Sequence, residues 1–374
     1  MEQDTKLGVQ IFAIGFAIRC VAAGITTLTT LNPDSTADAI RFGDSAQAIA
    51  RGMTEWRPYA IPLESIDIYH LWGSFLAPFW LLPGSSGFYG RLGNAFLGAI
   101  AIYNVYLIAR YYHSHQAGVI TSLPMMVYPS FIAVHSTLLR EAMVLSMITT
   151  VARLLIVTSK RYSYMHAYAV SGIALYIAYI LREDNGIIYI VAITSALIVH
   201  AVEAGYISKW SVGIAGLFSP FLFILSLPVV RDGVQFLAQT RELRAKGRAV
   251  YLPDVIPQSA VELLAFSWIG AAYFLYAPFP WMVETIPDLL ISFEWIINIR
   301  YTAVALWGVR ELGRKNLSAT VGLLVGLCVA AILYGVGTAN YGTGMRHRQM
   351  FLWIIFMFGG IGIAERVTFT WPLH

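Results

Sequence analysis

Four stretches of the sequence concentrate charge in a chain that has little of it. "RFGDSAQAIARG" (41–52) sets Asp44 between Arg41 and Arg51, and "LLREA" (138–142) carries Arg140 and Glu141. "LREDNG" (181–186) carries Arg182, Glu183 and Asp184, and "GTGMRHRQ" (342–349) carries Arg346, His347 and Arg348. A carboxylate within hydrogen-bond reach of a hydroxyl can take its proton. Arginine is the natural partner of a phosphate, because its planar fork donates two hydrogen bonds at once. Together these residue types suit a substrate pair that brings a phosphate and a hydroxyl to be deprotonated. The plainer use of each motif is to anchor a helix end or to form a structural ion pair. Their clustering argues for more than that, because perturbed charges gather at functional sites.

The elements that must carry these residues are set by composition. Of 374 residues, 57% are hydrophobic and only 12% are charged, with a mean hydropathy of +0.65. Soluble domains carry about 25% charged residues, so the chain has too few charges to cover a soluble core. An all-α, polytopic membrane protein with about 10–12 transmembrane helices is expected, organised as a single transmembrane domain over 1–374. At about 20 apolar residues per crossing, the candidate spans are 8–31, 90–112, 117–134, 138–158, 164–181, 186–206, 210–230, 292–310, 316–338 and 349–364. Two stretches stay open. "HLWGSFLAPFWLLPG" (70–84) is short and broken by Pro78 and Pro83, and "AVELLAFSWIGAAYFLYAPFPW" (260–281) ends in aromatics and prolines that suit an interface. The first apolar run lacks a small-residue cleavage site and is expected to stay as an anchor.

Lysine and arginine in short loops arbitrate orientation. With a cytoplasmic N-terminus and neither open stretch crossing, "RYYHSHQ" (110–116), "SKRYS" (159–163), "ISKW" (207–210) and "RELGRK" (310–315) all fall inside. Asp44, Arg140–Glu141, Arg182–Asp184 and Arg346–Arg348 then share the outer boundary of the membrane. Charge at membrane depth costs about 2.5–3.5 kcal/mol per residue, so such groups are expected to face one another or a water-filled cavity. Arg19, deep in the first span, is the exception, and it is expected to snorkel or to pair with an acid.

The order of these features resembles a known family. An arginine inside the first span ("FAIGFAIRCVAAG", Arg19) is followed by "GDSAQAIARG", then by "YHLWGSFLAPFWLLPG" and "GFYGRLGNAFLGAIAIYNVYLIARYY". After these come "MMVYPSFIAVHSTLLREAMVLSMITTVARLL" and a late "GTGMRHRQMFLW". The succession is similar to the GT-C superfamily of integral-membrane glycosyltransferases, in its protein O-mannosyltransferase-like and lipid A aminoarabinose transferase-like branch. The family-like module covers 8–230, with variable helices over 231–374. The resemblance implies a sugar transferase with a polyprenyl-phosphate-linked donor, a glycan, lipid or protein acceptor, and an active site on the outer face of a cell membrane. It also implies amphipathic helices in the first outer loop. The family's catalytic base lies early in that loop, and Asp44 matches it; where the family often has a second acid beside it, this chain has Ser45. Asp34 and Asp38 are rivals in the same loop. Glu141, Asp184 and Asp38 are candidates to position the acceptor or an ion. Arg346 and Arg348, with His347, are the first choice for the donor phosphate, and Arg140 and Arg182 the second. A divalent cation is a possible cofactor.

Other features have plainer expectations. His113 and His115 stand in a turn with no acidic partner and are read as surface residues. "QFLAQTRELRAKGRAVYLPD" (235–254) suits an amphipathic helix lying on membrane lipids, where Arg241, Arg244 and Arg248 would meet headgroups or the donor phosphate. Cys20 and Cys328 both lie in apolar segments, so no disulfide framework is implied. The net charge of +4 does not call for a nucleic-acid partner. Two other functions stay in play: a polysaccharide polymerase or O-antigen ligase-like enzyme, and a lipid or glycan transporter. The transporter predicts charges spread through the membrane midplane.

Overall fold

The computed structural model describes residues 2–29, 37–55, 67–84, 87–158, 164–208, 210–211 and 227–367. Asp34 and most of the expected span 210–230 lie outside them. Every regular element among the described residues is helical. Six helices are long and apolar enough to cross a bilayer: 6–28, 88–112, 183–203, 286–315, 317–337 and 341–364. This is the architecture of a multi-pass α-helical membrane protein.

The chain forms two compact units, Met1–Asp184 with Val367–His374, and Asn185–Arg366. The division drawn from the sequence at 230 marked where the family likeness fades; compactness divides the chain at 184.

In the first unit, α1 (Glu2–Leu28) packs on α4 (Phe88–Tyr112), and α4 also packs on α5 (His115–Val127) and α7 (Glu141–Arg153). Between α1 and α4 the chain forms α2 (Ala37–Thr54) and α3 (Ile68–Leu76), followed by a 3-10 turn over Ala77–Leu81. Nine helical residues reach about 14 Å, half of a hydrocarbon core of about 30 Å, so α3 does not cross. The expected span 117–134 is broken. Pro129 begins α6 (Pro129–His135), Tyr128 before it is extended as residues before proline prefer to be, and the two helices bend by 67°. α7 loosens into a π-helical turn over Leu154–Thr158, and α8 (Tyr164–Leu181) packs against α7.

The second unit comprises α9 (Gly186–Glu203), α10 (Leu227–Arg244), α11 (Ala260–Tyr276), α12 (Ile286–Ser292), α13 (Glu294–Lys315), α14 (Leu317–Gly337) and α15 (Tyr341–Ala364). Its central helix is α15, 94% buried over its apolar window. Glycines let the helices touch backbone to backbone. A Cβ on Gly308 of α13 would collide with the Phe358 carbonyl, and one on Gly270 of α11 would come within 2.6 Å of the Gly335 oxygen in α14. Where lipid supplies no hydrophobic drive between helices, such close approach is a main source of attraction.

Side-chain caps fix where the helices begin. Asp67, Ser114, Ser259, Thr285, Asn316 and Asn340 each accept a first-turn amide of α3, α5, α11, α12, α14 and α15 respectively.

Candidate functional site

α2 is amphipathic, and its two faces separate the carboxylates named from the sequence. Residues three, four and seven apart share a helix face, so Asp38, Phe42, Ser45 and Ile49 form one stripe. That stripe meets α3: Asp38 Oδ1 accepts from the Tyr69 hydroxyl at 2.9 Å, and the Phe42 and Tyr69 rings lie 5.0 Å apart. Gly73 presses on the same stripe, since a Cβ there would fall 2.8 Å from that of Ser45. Asp44 stands on the opposite side with Ile40 and Arg51. It is exposed and makes no hydrogen bond or ion pair among the described residues.

Asp67, at the start of α3, accepts the amides of Tyr69 and His70 at 2.9 and 3.0 Å, and His70 Nδ1 lies 2.8 Å from the same oxygen. Burial alone would raise its carboxyl. The hydrogen bonds and charge of His70 outweigh that, with the Tyr69 amide, and hold it below the ordinary carboxylate range.

The segment 135–141 is pinned by three hydrogen bonds from two side chains. Asn94 Nδ2 donates to the carbonyls of Thr137 and Leu139 at 2.5 and 2.7 Å, and Trp72 Nε1 donates to that of Leu138 at 2.8 Å. This fixes Arg140 and Glu141 at the start of α7. Glu141 is wholly buried and accepts from Arg182 Nη2 at 2.5 Å. The half-buried Arg140 guanidinium lies over the Phe42 ring at 5.8 Å. Asp184, two residues beyond Arg182, is exposed. The first unit therefore gathers Asp38, Arg140, Glu141 and Arg182 around 135–141 and the inner face of α2, and turns Asp44 outward.

Arg19 does not snorkel, and among the described residues it meets no acid. It is fully buried, donating to the carbonyls of Gly15 at 3.0 Å and Met125 at 2.6 Å. The tight crossing with α4 needs Gly98, where a Cβ would sit 2.9 Å from Arg19 Nε and 3.0 Å from His135 Nδ1.

The second unit holds the other named residues. Arg348 is buried, pairs with Glu294 Oε2 at 3.2 Å and donates to the Ala277 carbonyl. His347 is buried against Tyr334, ring to ring at 4.5 Å, and Tyr334 donates to Asn185 Oδ1 at 2.7 Å. Arg346 is half-buried.

The basic stretch 235–254 behaves differently from its expectation. Its helix ends at Arg244, and Arg241 is fully buried rather than turned to headgroups. Its guanidinium binds the carbonyls of Val255 (2.7 Å), Thr338 (2.8 Å), Leu252 (2.8 Å), Tyr251 (3.3 Å) and Val336 (3.4 Å). It thereby satisfies the open carbonyls at the end of α14. Burial lowers the Arg241 guanidinium and pushes the neighbouring Tyr251 phenol up to about 12. Arg248 pairs with Asp288.

His113 and His115 bond to Ser114 Oγ at 2.9 Å and to the Tyr106 hydroxyl at 2.8 Å. Among the described residues no group of three or more His, Cys, Asp or Glu side chains is placed to hold a metal ion.

Asn94, Trp72, Glu294 and Asp288 carry this architecture and were missed by sequence reasoning. Only Asp288 had a local signal, in the capping pattern Thr285-x-x-Asp288. No protein-family model, curated protein or solved structure matches the chain.

Proposed function

We propose that the chain is a membrane glycosyltransferase of GT-C type. It moves a sugar from a polyprenyl-phosphate donor to an acceptor hydroxyl on the non-cytoplasmic face, with the N-terminus in the cytoplasm. The observation that carries this is Asp44, an exposed carboxylate without a partner among the described residues, on a helix whose other face is fixed against α3. A base in that position is held rigidly yet stays open to an acceptor.

In the reaction, Asp44 takes the proton of the acceptor hydroxyl as its oxygen bonds to the anomeric carbon. The bond from that carbon to the phosphate oxygen breaks, and its electron pair leaves on the phosphate. A guanidinium beside the leaving phosphate would stabilise that charge. Arg140 and Arg346, both half-buried, are the candidates for that role. Asp38, held by Tyr69, serves α2 and positions the acceptor through it.

The test is mass spectrometry of lipids that co-purify with wild type, Asp44→Asn, Arg140→Ala and Arg346→Ala. A polyprenyl phosphate or its glycoside, kept by Asp44→Asn and lost in one arginine variant, is expected. Bulk phospholipid alone in all four would count against a lipid-linked donor. Arg19 and His135, buried within apolar helices, favour a transporter as the second function. Translocation of a lipid or glycan without a new covalent bond would identify it.

A further inference from the structure

Within the first unit, the polar groups around Gly98 are not accounted for by sugar transfer. Arg19 is a fully buried cation with no carboxylate partner among the described residues; Glu141, the buried acid of this unit, pairs with Arg182. Each terminal nitrogen of Arg19 spends one N–H on a backbone carbonyl, and Nε–H has no hydrogen-bond partner. His135 is fully buried and neither of its ring nitrogens has one. The same holds for the buried Oγ of Ser136, the next residue. A Cβ at Gly98 would meet both Arg19 Nε and His135 Nδ1, which come from two different helices.

Buried polar groups in native proteins are nearly always paired, and a buried cation without a counter-charge is the costliest case. Arg19 and His135 are in this state at one helix crossing, with Ser136 next to His135 in the chain, and together they ask for a partner of negative charge. The donor set defines which. A phosphate or carboxylate is held by the two-pronged end of arginine, and in Arg19 each prong is already tied to a backbone carbonyl. What remains is a set of single donors, Arg19 Nε–H, the His135 ring N–H and the Ser136 hydroxyl, which suits a spherical monovalent anion.

We propose that Arg19, His135 and Ser136 form a buried halide site in which chloride serves as the counter-ion of Arg19. The small rotation needed to admit the ion falls on the His135 and Ser136 side chains, since Gly98 leaves no Cβ to obstruct them. The site is independent of the sugar-transfer proposal: it needs neither Asp44 nor a lipid donor.

The experiment uses the full chain in detergent, exchanged into gluconate buffer at constant ionic strength. Chloride is added while the 35Cl resonance linewidth and the melting temperature are followed, and bromide serves as competitor. The proposal expects saturable line broadening that bromide reverses, and a melting temperature that rises with chloride, as for any ligand that binds only the folded state. Ser136→Ala and His135→Asn should each weaken apparent affinity about tenfold, the value of one hydrogen bond to a charged group. Arg19→Gln should abolish binding, and if it fails to fold, the two milder variants decide. Broadening that does not saturate, or that is equal in wild type and both milder variants, overturns the site. Saturable stabilisation by phosphate but not by chloride would overturn the halide assignment. Loss of sugar transfer in Asp44→Asn with chloride binding intact would show the two proposals to be separable.

Discussion

Glu294 and Arg348 form a buried ion pair, Oε2 to Nη2 at 3.2 Å, at the meeting of α13 and α15. Both side chains are almost fully withdrawn from solvent. Arg348 also ties down the Ala277 carbonyl just past the end of α11, so one guanidinium joins three helices.

Removing one member of such a pair strands the other charge. Glu294→Gln is expected to cost about 3–5 kcal/mol. The double variant Glu294→Leu with Arg348→Met should recover much of that, because a packed apolar pair has no charge to desolvate. Denaturant unfolding in detergent, followed by tryptophan fluorescence, measures both. Equal losses in the single and double variants would show that the pair is not the source.

Arg241 is expected to resist replacement by lysine. Its five carbonyl partners lie around a planar fork, and a lysine ammonium has three donors at one point. Arg241→Lys should lose about 3–6 kcal/mol, on the order of two hydrogen bonds to a charged group. Hydrogen exchange should report the loss at the end of α14. An unaltered exchange pattern there would contradict the assignment.

The α3 cap should make this helix acid-sensitive. The Asp67 carboxyl is depressed in the folded chain, so its contribution is present above the ordinary carboxylate range near pH 4. That contribution is lost as pH falls through the lower, folded value. Asparagine caps a helix almost as well as aspartate. Asp67→Asn should therefore flatten the acid dependence of α3 while keeping the helix at neutral pH. Hydrogen exchange at Trp72 and Gly73 between pH 3 and pH 6 is the readout.

The contact of α13 with α15 runs through Gly308, Gly359 and Gly362, against the backbone at Phe358, Tyr301 and Val304. Helix backbone cannot yield as a side-chain tip can. Gly308→Ala should push the helices apart and lower the melting temperature by several degrees, an overpacking cost of about 1–3 kcal/mol. Gly172→Ala meets open space and should be neutral.

The helical, membrane-spanning character was legible in composition and in runs of about 20 apolar residues; the stretch 70–84, broken by Pro78 and Pro83, stays open in the sequence, and only the structure shows how short α3 is. Tyr128–Pro129 could not be recognised as a break, because proline inside membrane helices is often tolerated. The charged motifs were legible as unusual but not as partners. The pairs Arg182–Glu141 and Arg348–Glu294 join residues 41 and 54 positions apart, and a charge in sequence carries no mark of what it will face. Arg241 reads as one basic residue among several, and only the fold reveals the carbonyls gathered around it. The helical spacing of Asp38 and Asp44 was readable. The face that α3 would cover was not.

The most direct test of the proposed function is turnover of a polyprenyl-phosphate-linked sugar by purified wild type beside Asp44→Asn, scored as release of free polyprenyl phosphate. Asp44 is exposed and has no partner among the described residues, so the variant should melt within about 0.5 kcal/mol of wild type. Turnover should fall about a hundredfold or more, as expected for loss of a general base. Wild-type turnover in Asp44→Asn, or no turnover of any lipid-linked sugar by wild type, would contradict it.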